Sequence, residues 1–310
     1  MSIIKFLITS SLVLTMGLFS EYTFAEISEL NQFGDNPGDL EASYYTPISK
    51  NPAIVVLLHG CAQNGEELAQ QSGLLGLAKK HEFSLLIPQQ GLTNNIKRCF
   101  NWYSDDDYTK NAGESLSIKN MIITLKQQLG SESVYIIGLS GGGAMASAML
   151  VNYPNLFTGG AIVAGIPFPC ANGLITGISC MKNGPLQTTQ GLVELVKELN
   201  PKQNFWPKLS VWTGAADDIV NPINSSHLAE QWALLSNITA KPSVTKKPNY
   251  KISSWVDAHK QVQIELVEID NLGHGIMVNP NVENGGEISD YLLDSPISTI
   301  KHVVKFWGIY

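Results

Sequence analysis

Val134-Tyr135-Ile136-Ile137-Gly138-Leu139-Ser140-Gly141-Gly142-Gly143-Ala144-Met145 is the stretch on which the fold turns. It opens as a continuous apolar run, the pattern of a strand covered on both faces. It closes in small residues that continue as a helix to 153, stopped by Pro154. Between the two, Gly138-Leu139-Ser140-Gly141-Gly142 fits G-x-S-x-G, a strand-to-helix turn sharp enough to lift a serine clear of the chain. Side chains two positions away from that serine would collide with the neighbouring strand and helix, which is why glycines flank it. The helix N-terminus below favours negative charge developing beside the serine. A dinucleotide-binding loop, G-x-G-x-x-G, would need glycine where Ser140 stands.

The alternation continues on both sides of this unit. Apolar runs at 54–58, 83–87, 133–137, 161–164, 209–212 and 262–268 read as strands, with a short strand at 42–46. Pro88 is expected to end the second of these. Helical patterns fill the gaps at 66–80, 114–129, 141–153, 224–235 and 296–307. Residues 250–255 are expected to pair with the strand 262–268 through the turn Asp257-Ala258-His259-Lys260. Residues 166–207, rich in Gly, Pro and Asn, break the rhythm and read as an insertion with one helix at 192–199. The expected fold class is α/β: one domain, a mostly parallel central sheet, and helices on both faces.

Composition sets limits on function. Of 310 residues, 44% are hydrophobic and 15% charged, which excludes disorder for most of the chain. Lys plus Arg number 20 against 27 Asp plus Glu, a net charge of -7, without the basic clusters that duplex nucleic acid requires. No nucleic-acid partner is therefore expected. The first 25 residues carry Lys5, then an apolar run from Phe6 to Phe19, then Thr23-Phe24-Ala25, with small residues where a signal peptidase cuts. The run is shorter than the ~20 residues of a bilayer span. The reading is a cleaved leader (1–25), a domain over 26–310 with no stable membrane span, and a secreted or periplasmic destination.

Export decides how Cys61, Cys99, Cys170 and Cys180 are read. An even set in an oxidising compartment, with no C-x-x-C spacing, favours disulfides over zinc. Three pairings are possible. Cys170 and Cys180 lie close together in one Gly-rich segment, which favours Cys170–Cys180 and leaves Cys61–Cys99.

A nucleophilic serine needs a base and an orienting acid, which in this kind of fold follow it in the chain. His59 precedes the serine. His81 and His302 have charged or polar neighbours on helices and read as solvated, while His227 lies on a helix and His259 in a turn. His274, in Asn271-Leu272-Gly273-His274-Gly275, stands on a loop at a strand's end and is the expected base. Thr213-Gly214-Ala215-Ala216-Asp217-Asp218 follows another strand, and either aspartate could orient the histidine; Asp270 is a weaker third. The oxyanion needs two amides. One is that of Gly141, and the other should come from His59-Gly60-Cys61-Ala62. The aromatic run Arg98-Cys99-Phe100-Asn101-Trp102-Tyr103 offers a substrate wall, with Asn101 and Trp102 as candidates. Asp105-Asp106-Asp107 lacks an EF-hand frame and reads as a solvated acidic loop. This chemistry calls for neither a metal nor an organic cofactor.

Four stretches together resemble the poly(3-hydroxybutyrate) depolymerase family of esterases, kin of feruloyl and acetylxylan esterases. They are Leu57-Leu58-His59-Gly60-Cys61-Ala62-Gln63-Asn64, Arg98-Cys99-Phe100-Asn101-Trp102, Gly138 to Met145, and Asn271-Leu272-Gly273-His274-Gly275. The resemblance implies an α/β-hydrolase fold and a secreted serine esterase acting on polyester or its oligomers, or else on feruloyl or acetyl esters of plant polysaccharide. It selects Asp217 over Asp218, gives the second oxyanion donor to the amide of Cys61, and puts Trp102 near the substrate. Thr213 departs from the family's histidine and Gly141 from its alanine, both expected beside the cleft. No further domain follows Tyr310, so soluble oligomers and small esters are expected in place of crystalline polymer.

Overall fold

Alternate residues of an extended strand face opposite ways, and in this chain each face has its own core. Ile54, Val56 and Leu58 enter one apolar cluster, while Val55 and Leu57 enter another. The computed structural model describes residues 27–310; the expected leader lies outside them. The chain runs β1 (Ser28–Glu29), β2 (Leu40–Tyr45), β3 (Ile54–Leu58), α1 (Gly65–Gln71), α2 (Leu74–His81), β4 (Ser84–Gln90), α3 (Asp105–Tyr108), α4 (Gly113–Leu129), β5 (Val134–Leu139), α5 (Gly141–Asn152) and β6 (Gly159–Val163). It continues through α6 (Leu174–Asn183), α7 (Thr189–Leu199), β7 (Lys208–Gly214), α8 (Ile223–Leu235), β8 (Ser243–Lys247), β9 (Tyr250–Val256), β10 (Val262–Ile269), β11 (Ile276–Val278), β12 (Leu292–Asp294) and α9 (Thr299–Trp307).

Ten strands form one sheet in the order β1-β2-β4-β3-β5-β6-β7-β10-β9-β8. The six from β4 to β10 are mutually parallel, and the two edges are antiparallel. Ile118, Met121, Ile122 and Leu125 of α4 close over one face together with α5, α7 and α8. Leu68 of α1, Leu77 of α2 and Ile300, Val303 and Trp307 of α9 close over the other. This is the α/β-hydrolase arrangement. No helix among the described residues is long and apolar enough to cross a membrane.

Several local expectations change. The helix expected over 66–80 is two helices, because Gly73 turns left-handed at φ 84° with the backbone of Asn284 packed against it. Pro88 does not end β4. The ladder to β3 stops at the pair Val56–Leu86, so the missing proline N–H breaks no parallel bond there. Segment 166–207 holds two helices; α6 escaped notice because Leu174, Ile175 and Ile178 face outward while Gly177 and Cys180 face in. Strand β8 is exposed along its whole length and carries no alternation. The acidic triplet Asp105–Asp107 lies in the short helix α3. His302 is half-buried and paired: its Nε2 lies 3.0 Å from Glu265, which also accepts from Ser210.

The elbow bears out the steric argument for its glycines. A Cβ on Gly138 would lie 2.2 Å from the Gly142 carbonyl oxygen, and one on Gly142 would lie 2.3 Å from that of Leu58. Gly138→Ala is therefore expected to cost about 2 kcal/mol and lower Tm by roughly 4–8 °C. Gly173→Ala, where nothing lies within 4 Å of the added carbon, should leave Tm near wild type. Equal melting temperatures for the two variants would refute the steric account.

Candidate active site

Crossover helices leave the carboxyl ends of the parallel strands open on one edge of the sheet, the usual place for a ligand in such folds. Four loops meet at that edge. Those after β3, β5, β7 and β10 carry Cys61, Ser140, Asp217 and His274 respectively. Ser140 sits between β5 and α5 at φ 55°, ψ -118°, a conformation that L-residues avoid. Its amide donates to Val163 of β6 at 2.9 Å, and its carbonyl accepts from Ala144 at 2.9 Å. The strained residue is thereby held from both sides.

Asp217 is buried and lies in a turn that its own carboxylate closes. Its Oδ1 accepts from the amides of Ile219 and Val220, each at 2.9 Å. Its Oδ2 accepts from Nδ1 of His274 at 2.8 Å. A carboxylate can only accept, so the imidazole proton sits on Nδ1, and Nε2 keeps its lone pair. The two loops are also tied through backbone: Ala215 donates to Ile269 and Ala216 to Leu272, both at 2.8 Å. Asp218 and Asp270 are exposed and stand apart from this pair.

Ser140 and His274 line one cleft of about 140 Å³, with Gly60, Cys61, Gln63, Leu139, Met181, Ile219 and Tyr291. A larger polar groove of about 500 Å³, beside β1 and β2, contains neither a serine–histidine pair nor any part of these four loops except Asn64 and its neighbours. Tyr291 stands edge-on to His274, ring centres 6.1 Å apart, and holds a left-handed backbone at φ 62°. Met181 is carried by α6, which the disulfide Cys170–Cys180 ties down; the other disulfide is Cys61–Cys99. Met181, Ile219 and Tyr291 had no sequence signal: Ile219 and Tyr291 come from irregular stretches, and Met181 from a helix whose apolar side chains mostly face outward. Gln63 was within a quoted motif, and its Oε1 accepts from Gly60 N at 2.7 Å, closing the turn.

Two backbone amides beside the elbow have no backbone acceptor among the described residues. Among the described residues no backbone carbonyl accepts from the Cys61 amide. The Gly141 amide opens α5 and has no earlier helical turn to bond. Cys61 and Trp102 flank Gly141: a Cβ there would lie 3.2 Å from Cys61 Sγ and 3.5 Å from Trp102 Nε1. Trp102 thus backs the elbow and packs under Gly177 of α6. Asn101 turns inward. Its side chain donates to Glu114 and accepts from Asn95, so both ends of its amide group have a partner within the protein. Thr213 is buried with its hydroxyl on the Gly214 carbonyl and does not line the cleft.

With the geometry described, the comparisons with known proteins fall into place. Residues 42–245 match the Esterase PHB depolymerase family, and the chain belongs to it. The chain is 31% identical to poly(3-hydroxyalkanoate) depolymerase C of Paucimonas lemoignei over 98% of its own length and 74% of that protein. It is 28% identical to feruloyl esterase B of Talaromyces funiculosus over 72% of its length and 66% of that enzyme's. The solved structure of an acetyl xylan esterase from Aspergillus awamori superposes with a TM-score of 0.77 at 20% identity, covering 92% of this chain and 100% of that one. The chain is a carboxylic-ester hydrolase.

His59, set aside as a base, organises the loop beneath the site. It is fully buried; its Nδ1–H donates to the Gly60 carbonyl at 2.7 Å, and its Nε2 accepts from Gln90 N at 3.1 Å. Burial lowers it from 6.5 to about 4, against the pull of the Gly60 carbonyl and aided by Arg98. The folded pKa lies below the unfolded value, so its stabilising effect is complete above about pH 6.5 and is lost as pH falls through about 4. Melting temperatures of wild type and His59→Gln, measured from pH 7 to 4, are expected to converge as the wild type loses this stabilisation. A constant difference across that range would contradict the assignment.

Proposed function

We propose that the protein is an exported serine esterase acting on 3-hydroxybutyrate-type oligomers and short-chain esters through an acyl-enzyme. Ser140 Oγ attacks the ester carbonyl, and His274 Nε2 takes its proton and returns it to the departing alcohol. Asp217 holds the imidazole in the required tautomer and stabilises the imidazolium, while the amides of Cys61 and Gly141 receive the oxyanion. Water then repeats the sequence and frees the acid. The observation that carries this reading is the Asp217–His274 bond of 2.8 Å in the loops that share a cleft with the strained Ser140.

The choice of acyl group is supported by the relative matched over 98% of this chain, a depolymerase by name. The cleft's small volume and its lining by Leu139, Met181 and Ile219 suit a short aliphatic acyl unit. Export is supported by the leader pattern and by two disulfides.

Hydrolysis of p-nitrophenyl acetate and butyrate should disappear in Ser140→Ala and fall by on the order of 10³–10⁴-fold in Asp217→Asn, with folding retained. Full activity in Ser140→Ala would end the proposal. The same preparation should release 3-hydroxybutyrate from its oligomers faster than ferulate or acetate from plant polysaccharide. The reverse ranking would assign the enzyme to polysaccharide esters.

A further inference from the structure

Glu114 is a fully buried carboxylate to which the mechanism gives no task. It lies in the first turn of α4, and its two oxygens take four hydrogen bonds. Oε1 accepts from Gln90 Nε2 at 2.6 Å, Asn101 Nδ2 at 2.8 Å and Asn94 Nδ2 at 3.3 Å. Oε2 accepts from the backbone amide of Asn101 at 2.8 Å. The N-terminal arm closes the box from outside: Asn94 also donates to the Gly38 carbonyl, and Gly38 packs so tightly on Glu114 that a Cβ would fall 2.5 Å from its Cα.

The bonds lead from this carboxylate to the oxyanion side of the cleft along two arms. One passes through Gln90, whose Nε2 also donates to the Cys99 carbonyl at 3.1 Å, and then through the disulfide to Cys61. The other passes through Asn101 to the adjoining Trp102. Both arms end against Gly141, which Cys61 and Trp102 flank. We infer that Glu114 is a positioning residue for ester hydrolysis, fixing the Cys61 amide and the Trp102 indole relative to Ser140 and Gly141. The inference rests on the reading of Ser140, Cys61 and Gly141 given above.

The partners supply only donors to these two oxygens, which favours the ionised form, while burial favours the neutral acid. All four partners donate, and glutamine at 114 would turn an NH2 group toward one of them, leaving buried donors opposed. Burial pushes Glu114 up to about 8, raised further by Asp107 and drawn back by the bonds from Asn101 and Gln90. No salt bridge to Glu114 forms among the described residues. Its contribution is thus one of geometry, since burying an unpaired carboxylate opposes stability.

The test compares wild type, Glu114→Gln, Asn101→Ala and the double variant for kcat and KM on p-nitrophenyl butyrate, with Tm recorded for each. Each single variant is expected to lose on the order of 10-fold or more in kcat with KM within about twofold, because a small misplacement of positioning groups acts on the transition state. The double variant should be no slower than the slower single, since both changes cut one tie. Should Glu114→Gln not fold, Asn101→Ala, at a half-buried loop position, carries the same expectation by itself. An unchanged kcat with a lowered Tm would make Glu114 merely structural, and a rise in KM alone would make it part of substrate binding. Either result overturns the inference, as would losses that multiply in the double variant. An active Ser140→Ala would instead bring down the underlying mechanism, so the two failures are distinguishable.

Discussion

The carbonyl oxygen of Gly142 occupies nearly the space that a side chain on Gly138 would need, and the Leu58 carbonyl does the same to Gly142. Strand β5, helix α5 and the end of β3 therefore meet backbone to backbone. This contact lets the chain reverse from strand to helix within one residue, and it forces that residue, Ser140, into a conformation of φ 55°. Strain of this kind persists only where the surroundings over-determine it. Here they do, through the bonds from Ser140 N to Val163 and from Ala144 N to the Ser140 carbonyl.

Once β5 is fixed, parallel neighbours dictate where everything else must stand. Strand β3 lies beside β5 and ends in the Cys61 loop, while β6, β7 and β10 follow on the other side. The aspartate and histidine come from adjacent strands, β7 and β10, which pair in register from Leu209 and Ile264 onward. Their separation of 57 positions in the chain shrinks to a hydrogen bond because the register brings both loops out at one level. The Asp217–His274 hydrogen bond is thus a consequence of sheet order as much as of side-chain chemistry.

This explains which features were legible in the sequence. The strands from 54 to 58 and from 134 to 139 are continuous apolar runs buried on both faces, and such runs declare themselves. Ser140 and His274 were readable because glycines mark the loops that must be tight. Asp217 and Asp218 were equivalent by spacing; burial and the pairing with Nδ1 of His274 separate them, and neither is written in the local sequence. Helix α6 and strand β8 were hidden for opposite reasons, α6 because its apolar side chains face outward and β8 because it has no buried face at all. Asn101 is a candidate substrate ligand by its place beside Trp102, and its side chain hydrogen-bonds to Glu114 and Asn95 in the fold, which the sequence does not show.

Two strongly perturbed groups, His59 and Glu114, stand on either side of Gln90. His59 Nε2 accepts from its backbone amide, and Glu114 Oε1 accepts from its side chain. Burial moves them in opposite directions, His59 down to about 4 and Glu114 up to about 8, because each is disfavoured in its charged form. As pH rises from 4.5 toward 8, Glu114 costs the folded state increasing stability, the raised pKa meaning that the native chain holds its proton longer. As pH falls from 6.5 toward 4, His59 does the same. Their losses overlap between pH 4.5 and 6.5, where the two slopes have opposite sign and offset one another. A single β-strand terminus, the end of β4, is therefore gripped by two ionisable residues that carry opposite pH dependences. The loop bearing Cys61 and the loop bearing Trp102 both connect to that strand end, one through the Gln90–Cys99 bond and the disulfide, the other through the bonds of Asn101 to Glu114.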